Sequence, residues 1–197
     1  ALSCSSPFWH GNNTGLKSYR LTIFDNLPRT GLPAEFQSYA EYQRHIQILI
    51  NAGVMEDSTK IWWDLRPSAK YPTLETRIMD VCTRMDDAIS LAALLVSTIR
   101  MLYRLRLKNQ RWRDYSPMLI RENRWRAMRY SFDEGLIDFG IGSIVPFEQL
   151  LDEFIDLTFE DAKSLGCESE VAATKDILNR GTSAHRQLKT YQLSMDS

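Results

Sequence analysis

The sequence predicts an α+β fold: a few antiparallel strands backed by several helices, with helix exceeding strand at least twofold. Three observations carry this. Residues 60–81 hold two short segments of large and branched side chains on either side of a Pro-containing turn, the pattern of an antiparallel hairpin. From residue 86 onward, long segments bounded by Gly, Pro and Asn read as helices. The 197 residues are 44% hydrophobic and 25% charged, the balance of one ordinary globular domain with a core to bury.

The elements follow in order. Asn12-Asn13, Gly15, Pro28, Gly31 and Pro33 punctuate the first 33 residues into loop, a short helix over 17–25, and loop again. Residues 36–52 form a helix. Ser38 and Glu41 have the spacing of a capping box, Tyr39, Tyr42, Ile46, Leu49 and Ile50 make an apolar stripe, and Gly53 ends the helix. Residues 60–65 (Lys-Ile-Trp-Trp-Asp-Leu) form a strand, 66–72 a turn in which Pro67 and Pro72 interrupt any ladder, and 73–81 the next strand. Alternation puts Glu75, Arg77, Met79 and Val81 on one face of that strand and Leu74, Thr76, Ile78 and Asp80 on the other. Helices are predicted over 86–108, 117–130, 146–165, 169–179 and 183–193, with a short strand over 136–139. The first half of 86–108 is apolar on almost every side, which predicts burial. Pro146 suits a first helical turn, and Gly166 and Gly181 suit helix ends.

Composition excludes several classes. Net charge is −1, so no global field draws the chain to nucleic acid or to a membrane. The uncharged apolar run 88–99 is shorter than the ~20 residues a spanning helix needs. Cys4, Cys82 and Cys167 are odd in number and far apart, no CxxC occurs, and there are three histidines. These facts exclude a disulfide framework and a zinc finger and point to a reducing, cytoplasmic setting. The first residues, Ala-Leu-Ser-Cys-Ser-Ser, lack an initiator Met, a basic region and a long apolar core, so they do not read as a secretion signal. They read as a domain entered partway, and the expectation is a piece of a longer chain.

Four constellations carry possible chemistry. Glu75 and Arg77 lie two apart in a strand, where the carboxylate suits Mg²⁺ and the guanidinium a phosphate; a solvated ion pair on a sheet face is the plainer alternative. Arg66, Ser68 and Lys70 in the preceding turn, with Arg20, are candidate anion binders; ordinary loop charge is the alternative. Between residues 100 and 129 nine Arg and one Lys face two acids, interleaved with Trp112 and Trp125, which suggests single-stranded nucleic acid. Residues 133–176 hold twelve acids against Lys163 and Lys175, so mutual neutralisation of helices explains the same pattern more simply. Cys4 with His10 has no third orienting group and is set aside as a nucleophile–base pair. No Walker A loop and no GxGxxG is present.

Longer segments say more than spacing does. Ser5-Ser6-Pro7-Phe8-Trp9-His10-Gly11, Thr14-Gly15, Ser18-Tyr19-Arg20, Trp63-Asp64-Leu65-Arg66-Pro67-Ser68 and Tyr71-Pro72-Thr73-Leu74-Glu75-Thr76-Arg77 resemble the bacterial type-2 glutamate–cysteine ligase family, a group of carboxylate–amine ligases. So do Asp80-Val81-Cys82-Thr83, Glu122-Asn123-Arg124-Trp125-Arg126-Ala127 with Arg129-Tyr130, and Gly181-Thr182-Ser183-Ala184. The motifs agree in order over nearly the whole chain.

The resemblance implies a glutamine-synthetase-like catalytic fold and ATP-dependent joining of a carboxylate to an amine, most typically the γ-carboxyl of glutamate to cysteine, through an acyl phosphate. It implies ATP and Mg²⁺, with Glu75 as a metal ligand and Arg77 on the transferred phosphate. Arg20 and Arg66 match upstream arginines that hold substrate carboxylate or nucleotide phosphate, and Lys70 stands loosely where a second Arg is expected. Ser68 sits in the same turn. No role is implied for Asn123, Arg124, Arg126 or Arg129. Members normally begin with an N-terminal half that supplies the other metal ligands. Residues 1–197 therefore resemble the C-terminal half of one catalytic domain, inactive alone, whose partner is that half or a second copy. A relative that kept the fold and lost catalysis is the alternative, and an Arg-rich nucleic-acid module a more distant one.

Overall fold

The computed structural model describes residues 1–195. In chain order they form β1 (Phe8–Trp9), β2 (Asn12–Asn13), α1 (Arg20–Asp25), β3 (Thr30–Gly31), α2 (Tyr39–Asn51), a 3₁₀ turn (Ser58–Lys60), β4 (Trp62–Trp63), β5 (Leu65–Pro67) and β6 (Leu74–Thr76). There follow α3 (Met85–Leu107), α4 (Pro117–Tyr130), β7 (Leu136–Asp138), β8 (Ser143–Val145), α5 (Phe147–Leu165), α6 (Glu168–Ala172), α7 (Thr174–Arg180) and α8 (Ser183–Met195). The fold is α+β, dominated by helix, and among the described residues every sheet has two strands. The chain divides into two compact units, one of Arg20–Met79 and one of Ala1–Tyr19 with the residues from Asp80 onward.

In the Arg20–Met79 unit, Tyr42, Ile46, Met55 and Ile61 form a small core, with Phe36, Leu49, Ile50 and Trp63 packed on it. The Ser38 hydroxyl accepts from the Glu41 N–H at 3.1 Å, the N-cap its spacing predicts. The reciprocal bond is displaced by one residue, because the Glu41 carboxylate takes the Gln37 N–H at 2.7 Å. The segment 60–65 is not one strand. Trp62 and Trp63 pair in parallel with Thr30 and Gly31, and the chain then bends at Asp64. Arg66 and Pro67, expected in the turn, belong to β5, which pairs antiparallel with β6 in the register Leu65 to Thr76, Arg66 to Glu75 and Pro67 to Leu74. Pro67 is tolerated at the strand end, where the Ser68 N–H closes the turn onto the Thr73 carbonyl at 2.9 Å.

The second strand is far shorter than the predicted 73–81. It stops at Thr76 because the next carbonyls turn to a side chain: Arg20 Nη2 lies 3.0, 2.9 and 2.8 Å from the carbonyl oxygens of Arg77, Ile78 and Met79.

In the other unit, α3 packs against α5, α6 and α7. Its inward stripe is Asp87, Ser90, Leu91, Leu94, Ser97 and Met101. Two ion pairs lock this packing. Arg180 donates to the buried Asp87, and Arg104 Nε and Nη2 grip the buried Asp161 at 2.8–3.1 Å. The first half of α3 is not buried all round, since Ile89 and Val96 are about half exposed. As one 23-residue helix, α3 has the length and composition to reach across a bilayer, which the shorter uncharged run did not indicate. The carboxylate and hydroxyls on its packed stripe are the features of a core helix.

The segment 169–179 is two helices, α6 and α7, divided at Ala173. Pro146 is the N-cap of α5 rather than a first-turn residue. Gly166 caps α5 in the left-handed region, and β8, which no sequence signal marked, pairs with β7.

Candidate functional site

The β5–β6 hairpin brings together three of the residues singled out by sequence. Arg66 and Glu75 are direct cross-strand partners, so their side chains leave the same face. Arg66 Nε and Nη2 both donate to Glu75 Oε2, at 3.1 and 2.8 Å. Arg77, two residues along, donates from Nη1 to Glu75 Oε1. One carboxylate thus lies between two guanidiniums. The Arg66 hydrogen bond, reinforced by both positive charges, holds the Glu75 carboxyl below the usual carboxylate range despite partial burial.

The two arginines differ. Arg66 is buried, and its Nη1 also meets the carbonyls of Ser58, Thr59 and Ile61 at 3.2, 2.9 and 2.7 Å. Each of its three nitrogens is engaged. Arg77 is more open, and its Nε is buried with no partner among the described residues. The cluster carries one negative and two positive charges, with a donor left over.

The other predicted binders have no described bond to the Glu75 carboxylate, and Arg20 meets Arg77 through its backbone. Arg20 clamps the backbone after β6 and lies 5.1 Å over the ring of Phe24. The Ser68 hydroxyl accepts the N–H groups of Lys70 and Tyr71 at 3.3 Å each, a turn-capping role, and Lys70 is exposed. On the opposite face of the hairpin, Leu65, Pro67 and Leu74 close an apolar groove of about 350 Å³ with Phe36, Tyr42 and Trp63.

In the other unit the resemblance motifs do structural work. The Asn123 amide makes two 2.8 Å bonds to the backbone of Ile137, Arg126 donates to the Glu134 and Gly135 carbonyls, and Arg129 donates to the Gly15 carbonyl. Asp80, buried, accepts the Ser5 N–H and the Ser6 and Ser18 hydroxyls at 2.8–2.9 Å. Arg100 and Arg104 meet Asp161, as mutual neutralisation of basic and acidic helices predicts. Cys4 is buried, and burial pushes its thiol up, which suits packing rather than attack.

Sequence reading missed one array altogether. His185 Nδ1 accepts the Thr182 N–H at 3.1 Å, with the Thr182 hydroxyl at 2.7 Å, so Nε2 is the nitrogen that donates to Asp133 at 2.9 Å. The only advance signal was the Gly181-Thr182 pair ahead of a helix. Gly181 is required there, since a Cβ would lie 2.8 Å from that of His185.

The model of glutamate–cysteine ligase family 2 (GCS2) matches residues 1–196. The chain belongs to this family. A Rhodospirillum rubrum relative is 59% identical over 191 residues, covering 97% of this chain and 49% of its own. One from Jannaschia sp. is 58% identical over 192 residues, covering 98% and 50%. One from Chloroflexus aggregans is 43% identical over 196 residues, covering 100% and 50%. All three are named, provisionally, glutamate–cysteine ligase 2. The chain spans about half the length of these GCS2 relatives.

Proposed function

We propose that the chain is the C-terminal part of a glutamine-synthetase-like catalytic domain that joins a carboxylate to an amine at the expense of ATP. The substrates proposed are glutamate, through its γ-carboxyl, and cysteine. The observation that supports this most is Glu75-x-Arg77 at the end of β6 in a GCS2 chain, with the Arg77 guanidinium on the Glu75 carboxylate and an unpartnered Arg77 N–H beside them.

In this chemistry a carboxylate oxygen attacks the γ-phosphorus of ATP and ADP leaves. The amine nitrogen then attacks the acyl carbon, phosphate leaves, and the nitrogen loses a proton. Charge builds on the phosphoryl oxygens in the first step, and a fixed guanidinium stabilises it without reorganising. Arg77 is the residue proposed for that contact.

The donor set does not fit Mg²⁺ by itself. Glu75 is a single carboxylate held by two arginines, and among the described residues no three His, Cys, Asp or Glu side chains come together. The remaining ligands of a nucleotide-bound metal are proposed to come from the other half of the family's chain. The same observation is what favours a second reading, a relative that keeps the fold without turnover.

Supplying ATP, glutamate and cysteine to a protein of the relatives' full length that carries this sequence tests the proposal. ADP release matched by γ-glutamylcysteine is the expected result. ATP hydrolysis or silence with every carboxylate–amine pair tried would leave the second reading in place.

A further inference from the structure

We infer that Arg66 is a positioning residue: it fixes Glu75 and ties β5 to the 58–61 backbone, while Arg77 alone meets the oxyanion. This rests on the proposed reading of the hairpin as an oxyanion site and assigns labour within it. Sequence resemblance put both arginines on the substrate. The structure separates them by what their nitrogens already hold.

Arg66 has little left to offer a ligand. Nη1 lies within hydrogen-bond distance of three carbonyls, Nε and Nη2 converge on one oxygen of Glu75, and only a tenth of the side chain is exposed. Moving it onto a phosphate would take the donor from the Thr59 and Ile61 carbonyls beside the core residue Ile61. An unpaired buried acceptor is costly, so the arrangement resists that movement. Arg77 is built oppositely. It has one described side-chain partner, an unpartnered Nε and a side chain that is more than a quarter exposed.

The two act in series. Arg66 holds Glu75 Oε2, and Glu75 Oε1 holds Arg77 Nη1, which sets the direction of the partly exposed Arg77 guanidinium. The planar two-pronged geometry of Arg66 matters more than its charge, and lysine would be a poor replacement.

The test follows arginine Nε–H signals of the 197-residue chain by NMR while inorganic phosphate is added. Arg66→Lys and Arg77→Lys assign the two signals. The Arg77 signal should move saturably, and the Arg66 signal should exchange slowly with water and stay still. Phosphate affinity is then compared in Arg66→Lys, Glu75→Gln and the double variant. Arg66→Lys should weaken binding about tenfold in the parent and have almost no further effect once Glu75 is Gln, because it acts through that carboxylate. These lysine and glutamine variants keep size and so keep the fold measurable. A phosphate-dependent shift of the Arg66 signal, or a full tenfold loss persisting in the Glu75→Gln background, overturns the inference while leaving the site standing. If neither signal moves, the oxyanion reading itself fails and Arg66's place in it with it.

Discussion

Arg77 and His185 show how much a single side chain's partners determine. For Arg77 the proposed contact forms as charge develops, so Arg77→Ala in the full-length protein should lower kcat by roughly 10²-fold or more and change KM far less. Glu75→Gln should follow it in direction, since the amide loses the charge that orients both guanidiniums. Steady-state kinetics with glutamate and cysteine varied separately checks both, and wild-type turnover in both variants would remove the hairpin from the chemistry. His185 concerns stability instead. Burial pushes its pKa below the ordinary 6.5, with Lys17 and Arg186 adding to this and Asp133 opposing it. The folded state therefore prefers the neutral ring, whose Nδ1 accepts from Thr182. Below about pH 6.5 the unfolded chain binds the proton first, so stability falls as pH drops from 6.5 through the lowered folded value. Melting temperature should decline between pH 7.5 and 5.5, and His185→Gln should flatten that decline. An equal slope in the variant would assign the effect elsewhere.

At the scale of elements, ladders with tight approaches respond to a single methyl group. Gly135 precedes β7 at φ +67°, and a Cβ there would lie 2.1 Å from the Val145 carbonyl oxygen. Gly142, at φ +76°, has open space around it. Gly142→Ala should cost only the ~1–2 kcal/mol of a left-handed alanine, whereas Gly135→Ala should cost clearly more by breaking the β7–β8 pairing. Denaturant midpoints of the two variants measure this directly, and equal values would contradict the close approach. What the sequence made legible follows the same logic of local cause. The Ser38–Glu41 spacing is a local signal, and the cap of α2 falls where it predicts, as does α4 over the predicted 117–130. Glu75 and Arg77 sharing a face with a cross-strand Arg66 was half visible, since alternation gave the face but not the register. The truncation of the strand at Thr76 was invisible, because it depends on Arg20, more than fifty residues upstream. Likewise the two tryptophans of β4 pair with Thr30 and Gly31, residues that read only as loop.

At the scale of the whole molecule, α3 presents a problem that its own unit does not solve. One stripe packs on α5, α6 and α7, yet Ile89, Val96 and Tyr103, at seven-residue spacing, continue to Leu107 as a second apolar stripe that is about half to two-thirds exposed. A helix apolar on both sides belongs in an interior, and covering each of these side chains would contribute on the order of 1 kcal/mol or more. The sheets raise the same question, because a two-stranded ribbon is marginal alone and each strand keeps an unpaired edge. The relatives are about twice as long as this chain. On the proposed reading the other half of the GCS2 chain covers these surfaces and brings the missing carboxylates. The purified 197 residues should then form no γ-glutamylcysteine and should associate beyond the monomer through the α3 stripe. Sedimentation should show Ile89→Gln/Val96→Gln shifting the mass toward monomer with helix content unchanged. Adding the other half as a separate polypeptide should suppress the association and restore turnover. A monomeric chain that makes product unaided would mean that α3 needs no cover and that the hairpin already holds everything the reaction requires.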